Sequence, residues 1–197
     1  MNFLCIPGTK KDIGGLVGRY KRISIEDPRL SLPPAHEKIL AKLIWPLRNA
    51  KGSYMLGNYL ATIALCGFAA EMAAILLFDI SEISFAEKPL TDDRQSRIFG
   101  SKFEKLGQYR KIEILHELEL ISDSIKAEYT FVREKRRKYL HFLSQDDKQI
   151  EKDAIDVYLS AVRIAVDTIG QKTKNGKLEF RPGMLRFLER EGTISNQ

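Results

Sequence analysis

Apolar residues recur at three- and four-residue intervals through most of this chain, which is the period of a helix and not of a strand. Ile39, Leu40, Leu43, Ile44 and Leu47 mark one face of a helix from Ala35 to about Ala50, which Pro46 should kink. The next helix, Tyr54 to Ile80, has almost no polar face. Its small residues (Ala61, Ala64, Gly67, Ala69, Ala70, Ala73, Ala74) let neighbours approach on several sides. Tyr59 to Phe78 is long enough to span a bilayer. Glu71 sits well inside it, however, and a carboxylate there would cost on the order of 2.5–3.5 kcal/mol. The later helices are amphipathic and need an apolar partner, so this segment is read as the central core helix, with no membrane involved.

Beyond Gly107 the stripe Ile112, Leu115, Leu118, Ile121, Ile125, Tyr129 and Val132 predicts a long amphipathic helix. The same spacing runs on to Arg136, Leu140 and Leu143, so a basic residue inherits a position otherwise given to the core. Ser101 with Glu104 forms a capping box, and Ser144 with Asp147 a second. The second opens a helix with the stripe Ile150, Ala154, Val157, Ala161, Ile164 and Ile169, ending at Gly170. From Ser81 to Gly100 the pattern fails. That stretch holds either a short helix near Asp92–Ile98 or a mobile flap.

Residues 1–34, with Gly8, Gly14, Gly15, Gly18, Pro7, Pro28, Pro33 and Pro34, read as an irregular arm with room for a short strand. Residues 171–197 read as a tail, with a turn at Lys174-Asn175-Gly176 and a short helix from Pro182. No strand run of useful length survives. The expected fold is all-α, an antiparallel helical bundle over residues 35–170 between arm and tail.

At 197 residues the chain suits one compact domain with a sizeable core. Lys and Arg total 32 against 26 Asp and Glu, a net charge of +6 that favours an anionic partner such as RNA or a nucleotide. The surplus is local: every residue from Arg133 to Lys138 except Glu134 is basic. Cys5 and Cys66 are too few and too far apart for a disulfide framework and read as reduced thiols. The first residues lack a secretory pattern, and both features point to the cytoplasm. His116, in His-Glu-Leu-Glu, lacks the second ligand of a zinc motif, and His36 follows Pro33-Pro34 at a helix start. Gly14 to Gly18 lacks the spacing of a phosphate loop. No metal and no cofactor is implied.

Candidate chemistry concentrates at Arg136 and His141. Arginine grips phosphate through a planar fork of donors, and histidine exchanges a proton near neutral pH. Together they are the minimum for cleaving a phosphodiester without metal. On one continuous helix they lie about 140° apart, so they converge only if the helix ends between them. One well-placed histidine per chain, with His36 and His116 in other elements, also leaves the reaction short of an acid or a base. A two-fold dimer would bring two copies to one cleft. The same basic run also fits a solvated helix face, and Tyr139 fits half-buried packing as well as base stacking.

The run Arg136-Arg137-Lys138-Tyr139-Leu140-His141 resembles the Arg-x4-His motif of the HEPN superfamily. The likeness extends over about residues 57–170: an apolar helix with Glu71, a long helix ending in the motif, and a further helix. It implies a helical bundle that dimerises and, in many members, a metal-independent endoribonuclease of toxin–antitoxin or phage-defence systems, so that an antitoxin partner is one expectation. In others the domain binds RNA or nucleotides, or assembles, without catalysis. By this resemblance Arg136 stabilises the phosphoryl charge and His141 is the acid–base residue. Arg133, Arg137, Lys138 and Tyr139 are expected to hold nucleic acid, with Glu71 supporting the site. The motif arginine is often followed by Asn, and here Arg137 stands in that place.

Overall fold

The computed structural model describes residues 13–25, 40–85, 87–141, 148–170, 172–174 and 177–194. Among them are eight α-helices: α1 (Ile13–Ile23), α2 (Ala41–Met55), α3 (Tyr59–Ile80), α4 (Asp92–Phe99), α5 (Gln108–Glu117), α6 (Asp123–His141), α7 (Ile150–Ile169) and α8 (Pro182–Ile194). Two small antiparallel hairpins complete the chain, β1 (Ser84–Phe85) with β2 (Lys88–Pro89) and β3 (Lys172–Lys174) with β4 (Lys177–Glu179). The protein is an all-α bundle, as the periodicity predicts.

Helix α3 is the axis of the bundle, packed by α2, α6 and α7. Its Cys66, Ala69, Ala70, Ala73 and Ala74 are buried, as are Ala154, Ala161 and Ala165 of α7, small residues that suit close packing of the two helices. By length and composition α3 could cross a membrane, and half of its most apolar stretch is buried inside the bundle. At 100° per residue its covered arc holds Ile63, Cys66, Gly67, Ala70, Ala74 and Leu77. The opposite arc, roughly 160° wide, carries Leu60, Ala64, Leu65, Phe68, Met72, Ile75 and Leu76 together with Glu71 and Asp79; Leu60 and Phe68 are exposed, whereas Leu65 and Leu76 pack partly against the core. The lone thiol in this helix, Cys66, is wholly buried, and burial pushes its pKa upward.

Four boundaries differ from the periodic reading. The expected helix from Tyr54 begins at Tyr59, because Gly57 adopts a left-handed conformation (φ 79°) and α2 closes there in a Schellman motif. The bonds are Asn58 N–H to the Ser53 carbonyl (2.8 Å) and Gly57 N–H to Tyr54 (2.9 Å). Asn58 then caps α3 through the Ala61 amide. The single helix expected beyond Gly107 is two, broken at Glu119 (φ 55°), whose neighbour Leu120 donates to the Leu115 carbonyl at 2.9 Å. A side chain at that left-handed position costs roughly 1–2 kcal/mol, and with glutamate in place of the usual glycine no signal marks the break. The Ser101/Glu104 box opens only the 3-10 turn Phe103–Lys105, with no side-chain cap bond, and Phe103 stacks on Phe78 at 3.9 Å. The fourth difference is α1: Leu16, Arg19, Tyr20 and Ile23 hold a helical period despite three glycines, and Ile23 is fully buried where irregular chain is expected.

Other expectations hold. Helix α7 ends at Gly170 in a left-handed conformation, and Pro46 lies inside α2. Residues 81–100 contain α4 and the β1–β2 hairpin, which Arg94 braces by donating to the carbonyls of Phe85, Lys88 and Pro89. Cys5, His36 and the Ser144/Asp147 box lie outside the described residues.

Candidate functional site: an arginine-lined cleft

Helix α6 stays helical through the whole motif. Positions 133, 137 and 141 follow one another at four-residue steps along one stripe, whereas 136 and 141 stand about 140° apart. The helix does not end between Arg136 and His141, so the convergence expected of them within one chain does not come from the backbone. The position in step with His141 is Arg137. The His141 side chain itself lies outside the described part of the structure.

Arg133, Arg136 and Arg137 form one wall of a cleft of ≈ 540 Å³. The opposite wall is the first turn of α5, from Gly107 to Arg110. No carboxylate lines it among the described residues. The Arg133 guanidinium lies 5.3 Å from the centre of the Tyr109 ring, and Arg110 is anchored by donating to the Phe99 carbonyl at 3.0 Å. The α5 N-terminus has no side-chain cap, so its first-turn amides face outward as donors.

Arg136 is set from behind. Its Nη1 is 3.7 Å from Glu71 Oε2 on α3, and Glu71 Oε1 accepts from Lys111 Nζ at 3.0 Å. Lys111 is 0 % exposed, so its charge needs that carboxylate. Gly67, one turn before Glu71, lies beneath the Arg136 stem. Glu71, expected to support the site, is thus ion-paired with both Arg136 and the buried Lys111.

The rest of the basic run faces away. Lys135 Nζ lies 2.8 Å from Asp153 Oδ1 on α7, the Tyr139 hydroxyl donates to Asp153 Oδ2 at 2.7 Å, and Lys138 Nζ sits 4.6 Å over the Tyr139 ring. Burial alone would raise the Asp153 carboxyl, but hydrogen bonds from Lys135 and Tyr139 outweigh it and hold its pKa below the ordinary range. Burial raises the Tyr139 hydroxyl. Lys138 and Tyr139, read as nucleic-acid contacts, are thus placed in an α6–α7 ionic cluster, apart from Arg133, Arg136 and Arg137.

His116 is also taken up structurally, with Nε2 2.8 Å from Asp123 Oδ1. Among the described residues no group of acidic, histidine or cysteine side chains is arranged to hold a metal ion. Sequence reasoning missed Tyr109, Arg110 and Lys111 as members of the site. Their one signal was that they open a helix immediately after Gly107. No family model, curated protein or solved structure matches this chain.

Proposed function

We propose that the chain is a homodimeric, metal-independent endoribonuclease of the HEPN type. The observation that carries this reading is the position of Arg136, at the join of two surfaces. One is the arginine-lined cleft, suited to a phosphodiester strand. The other is the outward apolar arc of α3, where Phe68 remains 44 % exposed one residue from the glycine under Arg136. Exposed apolar side chains such as Leu60 and Phe68 on a core helix suit an interaction surface. A two-fold axis across it sets the two copies of Arg136 and His141 beside one another.

In this mechanism Arg136 binds a non-bridging oxygen of the scissile phosphate. His141 removes the 2′-hydroxyl proton, and the 2′-oxygen attacks phosphorus. The bond from phosphorus to the 5′-oxygen breaks, and the partner subunit's His141 protonates that leaving oxygen. The products are a 2′,3′-cyclic phosphate and a 5′-hydroxyl. Arg136, helped by Arg137, stabilises the extra phosphoryl charge. The wide angle between positions 136 and 141 supports the dimeric version over one built within a single chain.

Purified protein is incubated with mixed-sequence RNA in excess chelator, beside Arg136→Ala and His141→Ala. Cleavage with cyclic-phosphate ends, lost in both folded variants, is expected. Strict dependence on Mg²⁺, or equal trace cleavage in all three, overturns it.

The continuous helix across the motif also favours a second reading, a non-catalytic module that binds RNA or a nucleotide in the same cleft. It predicts salt-sensitive binding that falls in Arg136→Ala or Arg137→Ala, without cleavage under any condition.

A further inference from the structure

The cleft extends beyond Arg136, away from the position of His141, and the extension has its own chemistry. It is bounded by Arg133 on α6 and by Gln108, Tyr109 and Arg110 on α5. Five side-chain polar atoms among the described residues are buried without a hydrogen-bond partner. Two of them, Gln108 Nε2 and Arg133 Nε, belong to residues at this end of the cleft, and both are donors, whereas a third, Arg136 Nε, lies beside Gly67. Buried donors are ordinarily satisfied, so two unmet ones side by side suit this place to an acceptor. The uncapped first turn of α5 adds backbone donors and the positive end of a helix dipole. A tetrahedral oxyanion in this end of the cleft would meet the Arg110 and Arg133 guanidinium groups and the free first-turn amides together.

We infer that this end of the cleft is a second phosphate subsite, which binds the backbone phosphate next to the scissile one while the attached base lies against Tyr109. The inference rests on the reading of RNA as substrate and deepens it. Tyr109 is 57 % exposed, with Arg133 near its ring, so the aromatic surface is held at the cleft mouth rather than spent in the core. Stacking on a ring is indifferent to base identity, so the subsite grips single-stranded RNA without strong sequence preference. A duplex, whose bases are stacked and paired within, cannot offer a base to Tyr109.

Three probes test this on the full chain, with Arg110→Ala and Tyr109→Ala as variants. Neither residue touches the scissile phosphate in the proposed mechanism, and both are exposed, so both variants should fold. Inorganic pyrophosphate is titrated first and followed by the amide resonances of residues 108–110. These should move in the wild type, with affinity down about tenfold in Arg110→Ala. Single-stranded DNA, which lacks the attacking hydroxyl, is bound next across a salt series. Arg110→Ala should lessen the salt slope by about 0.7, the value for one single-strand phosphate contact, and Tyr109→Ala should weaken binding roughly tenfold with the slope unchanged. In RNA cleavage both variants should raise KM while kcat stays within about twofold.

Pyrophosphate that leaves these amides unmoved overturns the subsite, as do variants that bind the DNA strand like wild type. If the amides move and the variants weaken DNA binding but RNA is never cleaved, the subsite stands and the ribonuclease reading falls. If RNA is cleaved and neither variant alters KM, the ribonuclease reading stands and the subsite falls.

Discussion

The aliphatic stem of Arg136 lies across Gly67, so that a Cβ built on the glycine would overlap the arginine Cδ and stand 3.2 Å from its Nε. The glycine sits in the middle of α3, where alanine would be the better helix former by about 1 kcal/mol. Gly67→Ala should therefore leave stability within about 1 kcal/mol of wild type while pushing Arg136 off its seat. RNA binding and cleavage should fall about tenfold or more, since a misplacement near 1 Å is expensive in a preorganised site. Denaturant unfolding beside a cleavage assay separates the two effects. Unchanged activity would show that the guanidinium position is not set by this contact.

Among the described residues Lys111 has one carboxylate to neutralise it, Glu71, which is shared with Arg136. Removing one partner of a fully buried pair costs roughly 3–5 kcal/mol, and less here because the Glu71 side chain is 30 % exposed. Lys111→Met is expected to lose about 2 kcal/mol in urea unfolding. Combined with Glu71→Gln, the loss should be smaller than the sum of the singles, because the charge left behind is then gone.

The outward arc of α3 gives a direct test of self-association. Phe68→Glu places a charge in its middle without touching the core, and sedimentation should show a shift from dimer to monomer with helix content preserved. Cleavage should be lost with the dimer. A variant that remains dimeric assigns this arc to another role.

Asp153 supplies a pH dependence. Its carboxyl is held below the ordinary value in the folded protein by Lys135 and Tyr139, against the opposing effect of burial. The unfolded chain then takes up the proton more readily than the folded one. The stabilisation is present in full above about pH 4 and is lost as the pH falls through the folded value. Unfolding free energy followed from pH 6 to pH 3 should drop more steeply in wild type than in Asp153→Asn, which should already be weaker at pH 6. Parallel curves would mean that the cluster adds nothing.

How far the sequence speaks depends on the kind of signal. The bundle and the end of α7 were legible because three-four periodicity and a terminal glycine are local properties of the chain. The break at Glu119 was not, since a residue forced into a left-handed turn leaves no mark in composition. Helix α1 was hidden by its glycines, and only burial of Ile23 reveals what holds it. Within the site, Arg136 and Glu71 stood out as a charge on a core stripe and a carboxylate in an apolar helix. Tyr109, Arg110 and Gly67 did not, because nothing in their own segments refers to α6.

By itself, then, the order of residues determined the helical fold, the apolar axis and the concentration of positive charge on one helix, because each follows from spacing along a single segment. Only the tertiary structure divided that basic run. One face, Arg133, Arg136 and Arg137, meets the first turn of α5, and the other, Lys135, Lys138 and Tyr139, turns to Asp153. Residues that adjoin in sequence lie about 100° apart on a helix, so what each one does is decided by the neighbour that packs against its side.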